Sequence, residues 1–282
     1  IFDSLRGIYK YSSSSASPAI AQVTNTNTVQ RFLQQGVQIG NNTDVVNASA
    51  ESLVLWQWAT GTTVETGISG TGNITIDRLK STTMGLSICT GTTVSSGDTS
   101  WEHGLGAKPE FVLFKQTDSA ANNFQTQHAG TVAHGVSMVD TSGLSLNRTN
   151  AAAASTGNWG SEPTTVLQYI GDTSQSDYSS PFVCWSFISI EGFSSFGSYV
   201  GNSNVDGPYI SFGFKPQFIL FKCSSTTGSW LIFDAVRQPY NPNFRYLLAQ
   251  STQVERSTPD EDIDMLASGV KLRSLNSSSN SD

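Results

Sequence analysis

Residues 104–115 read GLGAKPEFVLFK and residues 211–222 read SFGFKPQFILFK. A chain that writes one stretch twice is built from a repeated unit, and repeated units gain stability by packing against each other. Lys108-Pro109 and Lys215-Pro216 anchor the match. Upstream, GLSIC at 85–89 aligns with GFSSFGSYVGN at 192–202; downstream, NNFQTQH at 122–128 aligns with GSWLIFD at 228–234. A further copy is present in part. IFDSLRG at 1–7 matches IFDAVRQ at 232–238, and GVQIGNN at 36–42 matches GVKLRSL at 269–275. After GVQIG the first copy runs on to SLVLWQWA at 52–59, whose counterpart in the second copy is PFVCWSFISI at 181–190. The expected organisation is a partial first β module at 1–80 whose N-terminal part is missing, a complete second module at 81–191, and a third at 192–282 that lacks its final strand. This frame implies an excerpt of a longer protein, or end strands that are disordered or supplied from elsewhere. A module without its final strand exposes an unpaired edge. Either a neighbouring copy of the chain or the chain's own N-terminal piece is expected to cover it.

The apolar runs are short and rich in Val, Ile, Phe, Tyr and Trp: LVLWQWA, FVLFK, TVLQYI, PFVCWSFISI, YISFGF, FILFK and SWLIFDAV. Gly, Asn, Ser or Pro bounds each one. That pattern predicts an all-β fold of tandem β-sandwich, jelly-roll-like modules. A few short helices are expected beside the strands. TVQRFLQQG at 28–36 reads as two turns stopped by Gly36, and PDEDIDMLASG at 259–269 as a helix opened by Pro and acids. Charged residues make up only 13% of the chain, while aromatics reach 10%. Such a chain has a hydroxyl- and amide-rich surface and apolar strands to bury, which is not the disordered composition.

The twin motif reads as a strand-opening turn. Gly106 and Gly213 are free to take φ values closed to other residues. Pro109 and Pro216 suit the first position of a strand, since they lack the amide donor. The apolar residues that follow are expected inside, with the closing lysine of each run snorkelling to solvent. Lys108 and Lys215 complete the motif. Asp3 with Arg6, and Asp234 with Arg237, recur at the same spacing. They are read as internal clamps, with bidentate bonds where partly buried, in preference to a site for a ligand carboxylate.

No pattern for catalysis or metal binding stands out, so neither a catalytic nor a metal site is expected, and no cofactor. His103, His128 and His134 occur in no HxH or HExxH pattern. His128 aligns with Asp234, which marks a polar strand end. There is no nucleophile elbow and no phosphate loop. Asp260, Glu261, Asp262 and Asp264 form the one acidic cluster, read as a solvated helix start or turn in preference to a calcium site, since it lacks the Gly-bearing loop of an EF-hand. Cys89, Cys184 and Cys223 are too few and too widely spaced for a disulfide framework and read as buried fillers. Net charge is −7 with no basic block, which argues against nucleic acid as a partner. No apolar run reaches the length of a membrane span, so no membrane insertion is expected.

The segments WEHGLGAKPEFVLFK, EGFSSFGSYVGNSNVDGPYISFGFKPQFILFKCSSTTGSWLIFDAVRQPYN and LASGVKLR resemble the repeat modules of a large tailed-phage virion protein family common in marine and freshwater phages, especially those of cyanobacteria. Members are described as structural, fibre-like or of unknown function. Their modules run on to a final strand like tYiYmAfAe, and their NWxxYH segment stands here as NNFQTQH, with Phe124 in place of Trp. The resemblance carries over no catalytic residues. It implies a non-enzymatic virion structural protein on the particle exterior, assembled in the host cytoplasm: a tail fibre or tail-associated adhesin for host-surface attachment. The alternatives are a capsid decoration or head-fibre protein and, further off, a polysaccharide depolymerase. Other virion proteins, copies of the same chain (a trimer) and a host-surface glycan are the expected partners. Trp101, Trp159 and Tyr178 are read as loop aromatics for glycan stacking.

Overall fold

The computed structural model describes residues 1–14, 22–33, 35–119, 122–130, 144–152, 159–171, 178–257, 259 and 261–281. His134 and Asp260 lie outside them. The fold is all β, in short antiparallel strands. The first copy gives two hairpins, β1 (Lys10–Tyr11) with β2 (Val23–Thr24) and β3 (Val29–Leu33) with β4 (Gly36–Ile39). Then come β5 (Glu65–Ile68), β6 (Ile76–Ser81), β7 (Leu86–Thr92), β8 (Thr99–Glu102), β9 (Phe111–Gln116), β10 (Gln125–His128), β11 (Leu167–Ile170) and β12 (Pro181–Phe187). The third copy holds β13 (Tyr209–Ser211), β14 (Phe218–Lys222), β15 (Trp230–Asp234), β16 (Leu247–Leu248), β17 (Ile263–Leu266) and β18 (Gly269–Leu272).

The central sheet has six strands in the order β10-β9-β12-β7-β6-β5. It takes in β5 and β6, from before residue 81, and seats β12 between β9 and β7. Strand side chains alternate between the two faces, and here both faces are covered. Val112 and Phe114 of β9, with Phe182 and Cys184 of β12, point to one core, which they share with Trp101 of β8, Ile170 of β11 and Trp159. Phe111 and Leu113, with Val183 and Trp185, point to the opposite core. Burial on both sides explains why FVLFK and FVCWSF are continuously apolar and lack the alternation of a half-exposed strand.

Trp230 of β15 belongs to the second of these cores although it comes from the third copy. Its indole N–H donates to the carbonyl of Ser145 at 2.9 Å. Leu5, Phe196, Leu220 and Ala249 pack against the same core. The remaining side chains of the third copy form their own core, in which Ile219, Phe221, Leu231 and Phe233 of one three-stranded sheet meet Ile263, Met265, Val270 and Leu272 of the other.

The repeat is visible in the pairing. Phe111 stands opposite His128 across β9 and β10, and Phe218 opposite Asp234 across β14 and β15. Both twin motifs turn on a glycine in the left-handed region, Gly106 at φ +75° and Gly213 at φ +80°. A Cβ would find open space at either position, so the backbone angle is what these sites require. Pro109 and Pro216 are buried at the strand starts, while Lys108 reaches Glu162 at the surface, 2.7 Å away.

Three expectations are corrected. The described residues of 28–36 and 259–269 are not helical: each segment supplies the first strand of a hairpin and the opening residue of its second strand, in β3–β4 and β17–β18. Their glycines mark the hairpin turns instead of helix ends. At Gly269 a Cβ would lie 2.1 Å from the carbonyl oxygen of Ile210 on β13, so close strand packing fixes that residue. Residues 52–59 form no strand, although they match β12 in sequence. Lys115, closing the first twin run, does not snorkel. It is fully buried and donates to the Ser119 carbonyl at 2.7 Å, and burial lowers its amine to about 8. Lys222 is likewise lowered to about 8 by burial, and its amine reaches the carbonyls of Cys223 and Thr149.

Candidate functional site

The aromatics expected to stack on a glycan divide sharply. Trp101 lies in β8 with 0% of its surface exposed, its ring 4.7 Å from that of Phe182. Trp159 is also 0% exposed and meets Phe114 edge-on. Both are core residues, so neither is a surface contact. Their Ser- and Gly-rich flanks suggest loops. The side chains of β8 nonetheless alternate in burial, with Thr99 and Trp101 inside. Tyr178 is exposed at 42%.

The Asp–Arg pairs are built as clamps. Asp3 Oδ2 lies 2.5 Å from Arg6 Nε, and Asp234 Oδ2 lies 2.5 Å from Arg237 Nε. In each pair the second carboxylate oxygen accepts the arginine's own backbone N–H, at 2.9 Å and 2.8 Å. Arg237 spends its other nitrogens on Glu255 at 2.7 Å and on the Ile232 carbonyl at 3.0 Å. Each guanidinium also lies over a tryptophan of another copy: Arg6 over Trp185 at 5.2 Å and Arg237 over Trp56 at 5.8 Å.

His103 and His128 are held neutral. His103 Nδ1 accepts the Leu105 N–H at 3.2 Å, and its Nε2 faces the Thr164 carbonyl at 3.1 Å. His128 Nδ1 accepts the Gly130 N–H at 2.8 Å. Burial lowers each ring from 6.5 to about 4. The unfolded chain therefore takes up these protons first, and stability drains away as pH falls from about 6.5 towards 4. Urea midpoints should drop between pH 7 and pH 5 by the equivalent of about 2 kcal/mol per histidine. His103→Gln and His128→Gln should each flatten that slope, and an unchanged slope in both would rule the histidines out.

Cys89 and Cys184 face each other across β7 and β12 as free, buried thiols. Burial pushes Cys89 up to about 11, so both behave as apolar fillers. Glu261 and Asp264 of the acidic cluster are engaged internally, and are not a solvated turn. Buried Glu261 accepts the Ser279 hydroxyl at 2.6 Å, and Asp264 pairs with Arg273 at 2.8 Å. Among the described residues no group of three His, Cys, Asp or Glu side chains converges on a metal-sized site.

One open cleft, of about 390 Å³, lies where the second copy meets the third. Asn147, Arg148, Thr149, Asn150 and Gln250 line it. Asn147 is fixed from both ends: its Oδ1 accepts the Phe124 N–H at 3.0 Å and its Nδ2 donates to Asn123 at 2.9 Å. The Thr149 carbonyl takes the Gly228 N–H at 2.9 Å, and Gln250 accepts the Trp230 N–H at 3.0 Å. The walls are therefore held by both copies. The lining groups not used in these bonds are the Arg148 guanidinium, the Thr149 hydroxyl, the Asn150 amide and the Gln250 Nε2. They can hydrogen-bond hydroxyls and acidic groups, but none of them transfers a proton near neutral pH. Sequence reading missed the cleft, because one Asn-Arg-Thr-Asn stretch does not stand out in a chain so rich in these residues.

The family model described as a domain of unknown function, DUF7483, matches residues 1–282. No curated protein and no solved structure matches the chain. Since the match runs from the first described strand through the last, the chain belongs to the DUF7483 family.

Proposed function

We propose that this chain is a non-enzymatic structural protein of a tailed-phage virion, made of tandem β-sandwich modules on the particle exterior and serving as a tail fibre or tail-associated adhesin. The observation that carries this reading is the joint between copies. Trp230 of the third copy is buried in the core of the second and hydrogen-bonded there. Modules joined through a shared core suit a stiff, load-bearing projection, and repetition supplies avidity from weak individual sites. Host-surface glycan is the ligand, and the cleft at Arg148, Asn150 and Gln250, with exposed Tyr178, replaces Trp101 and Trp159 as the place of contact.

Gold-tagged antibody against this segment, imaged on intact particles, tests the location. Label on the tail is expected. Label over the head would sink the adhesin reading in favour of capsid decoration, and label seen only on disrupted particles would remove the protein from the exterior.

A further inference from the structure

In the complete second copy, β12 is paired on both sides, with β9 and with β7. The third copy has no strand in the matching slot among the described residues. β14, the counterpart of β9, is paired only with β15. Residues 192–202, the counterpart of β7, form no ladder strand, and Val200 there is 64% exposed. An unpaired edge beside exposed apolar side chains is a template for one more strand.

Residues 52–59 have the sequence of a strand but pair with no sheet among the described residues. They match β12 in sequence, so that Leu53 falls on Phe182, Trp56 on Trp185 and Trp58 on Phe187. Among the described residues their backbone groups have no hydrogen-bond partner, and Leu55 is 64% exposed. A β-prone run with unpaired amides and exposed apolar side chains is driven to pair.

Side-chain contacts already join this run to the open slot. The Trp58 and Phe218 rings are 5.2 Å apart, while their counterparts Phe187 and Phe111, directly opposite each other in the complete sheet, are 5.7 Å apart. Trp56, two residues away and so on the same face, touches Phe218 at 5.6 Å. Its indole N–H also donates to Asp234 Oδ2 at 3.3 Å. We infer that residues 52–59 are the closing strand of the third copy, pairing antiparallel with the free edge of β14 in the same chain. The register follows from the second copy: Trp58 stands opposite Phe218, and Leu53 opposite Cys223. The first copy is thereby joined to the third, and the chain closes on itself.

That register places residue 53 beside a native thiol, which gives the test. Residues directly opposite across an antiparallel pair have Cβ atoms about 4.5–5.5 Å apart, near the span of a disulfide. Burial works against ionisation of Cys223, but hydrogen bonds from Thr226 and Ser225 outweigh it and hold the thiol below its ordinary range. Cys89 and Cys184 are buried and do not compete. Leu53→Cys, oxidised in the intact chain and mapped by mass spectrometry, should give a disulfide between residues 53 and 223 within monomers. Val54→Cys, whose side chain faces the other way, should give none. Amide hydrogen exchange is the second measurement, and alternate amides over 53–58 should be protected at least tenfold over an unpaired segment. A disulfide between chains would show exchange of the strand between copies and overturn closure within one chain. Equal crosslinking from both variants, or unprotected amides across 53–58, would overturn the pairing itself.

Discussion

Trp101→Ala should destabilise the protein by about 3–5 kcal/mol, the range for truncating a fully buried aromatic side chain. Trp101 has no exposed surface and sits among Phe114, Phe182 and Cys89 in the core under β8 and β11. Truncation leaves a cavity between β8 and the central sheet that strands paired elsewhere cannot close. Trp101→Phe should cost much less, because a phenyl ring keeps most of the apolar surface that Trp101 buries against Phe114 and Phe182. Denaturant unfolding of the two variants measures the difference. If Trp101→Ala unfolded at the wild-type midpoint, the buried placement would be wrong and a surface role would reopen.

Asp234→Ala should cost about 3–5 kcal/mol, the usual penalty for removing one partner of a buried ion pair. The carboxylate accepts the Arg237 guanidinium and the backbone N–H groups of Val236 and Arg237. Truncation strands these donors and the Trp56 indole N–H as well, although Glu255 still holds one arm of the guanidinium. Arg237→Lys should not be neutral either, since Nε, Nη1 and Nη2 serve three different acceptors and an ammonium cannot span them. Asp3→Ala should be at least as harmful, because no second carboxylate pairs with Arg6 among the described residues. Burial alone would raise the Asp234 carboxyl, but the Arg237 amide, its guanidinium and the Val236 amide hold it below the ordinary value. The folded state thus binds this proton less readily than the unfolded chain. The stabilisation is complete above about pH 4 and is lost as pH falls through the lower, folded value. Urea titrations at pH 7 and pH 3 should show the difference between wild type and Asp234→Ala shrink in acid.

The β architecture was legible because its carriers are local: continuous apolar runs bounded by Gly and Pro, and a twin motif whose Gly106 and Gly213 fill left-handed turns. The Asp–Arg clamps were legible for the same reason, since both partners lie within one turn of chain. What failed needed information from elsewhere in the chain. TVQRFLQQG has spacings that serve either a helix or a hairpin, and β4 decides for the hairpin by pairing with β3. Trp101 and Trp159 look like loop residues until β11 and the central sheet close over them. Lys115 ends an apolar run where a lysine ordinarily escapes to water, but a carbonyl four residues on captures it. The cleft at Arg148 and Gln250 depends on a meeting of two copies that no local pattern announces.

The indole of Trp230 belongs to one copy by sequence and to another by packing. Independent beads on a string melt one at a time, each with its own midpoint. A bead whose core contains its neighbour's side chain cannot do so, because losing either core exposes the other. Heat or mechanical load therefore acts on the second and third copies as one body, and the smallest piece that can be cut from this chain and still fold is larger than the repeat written in its sequence.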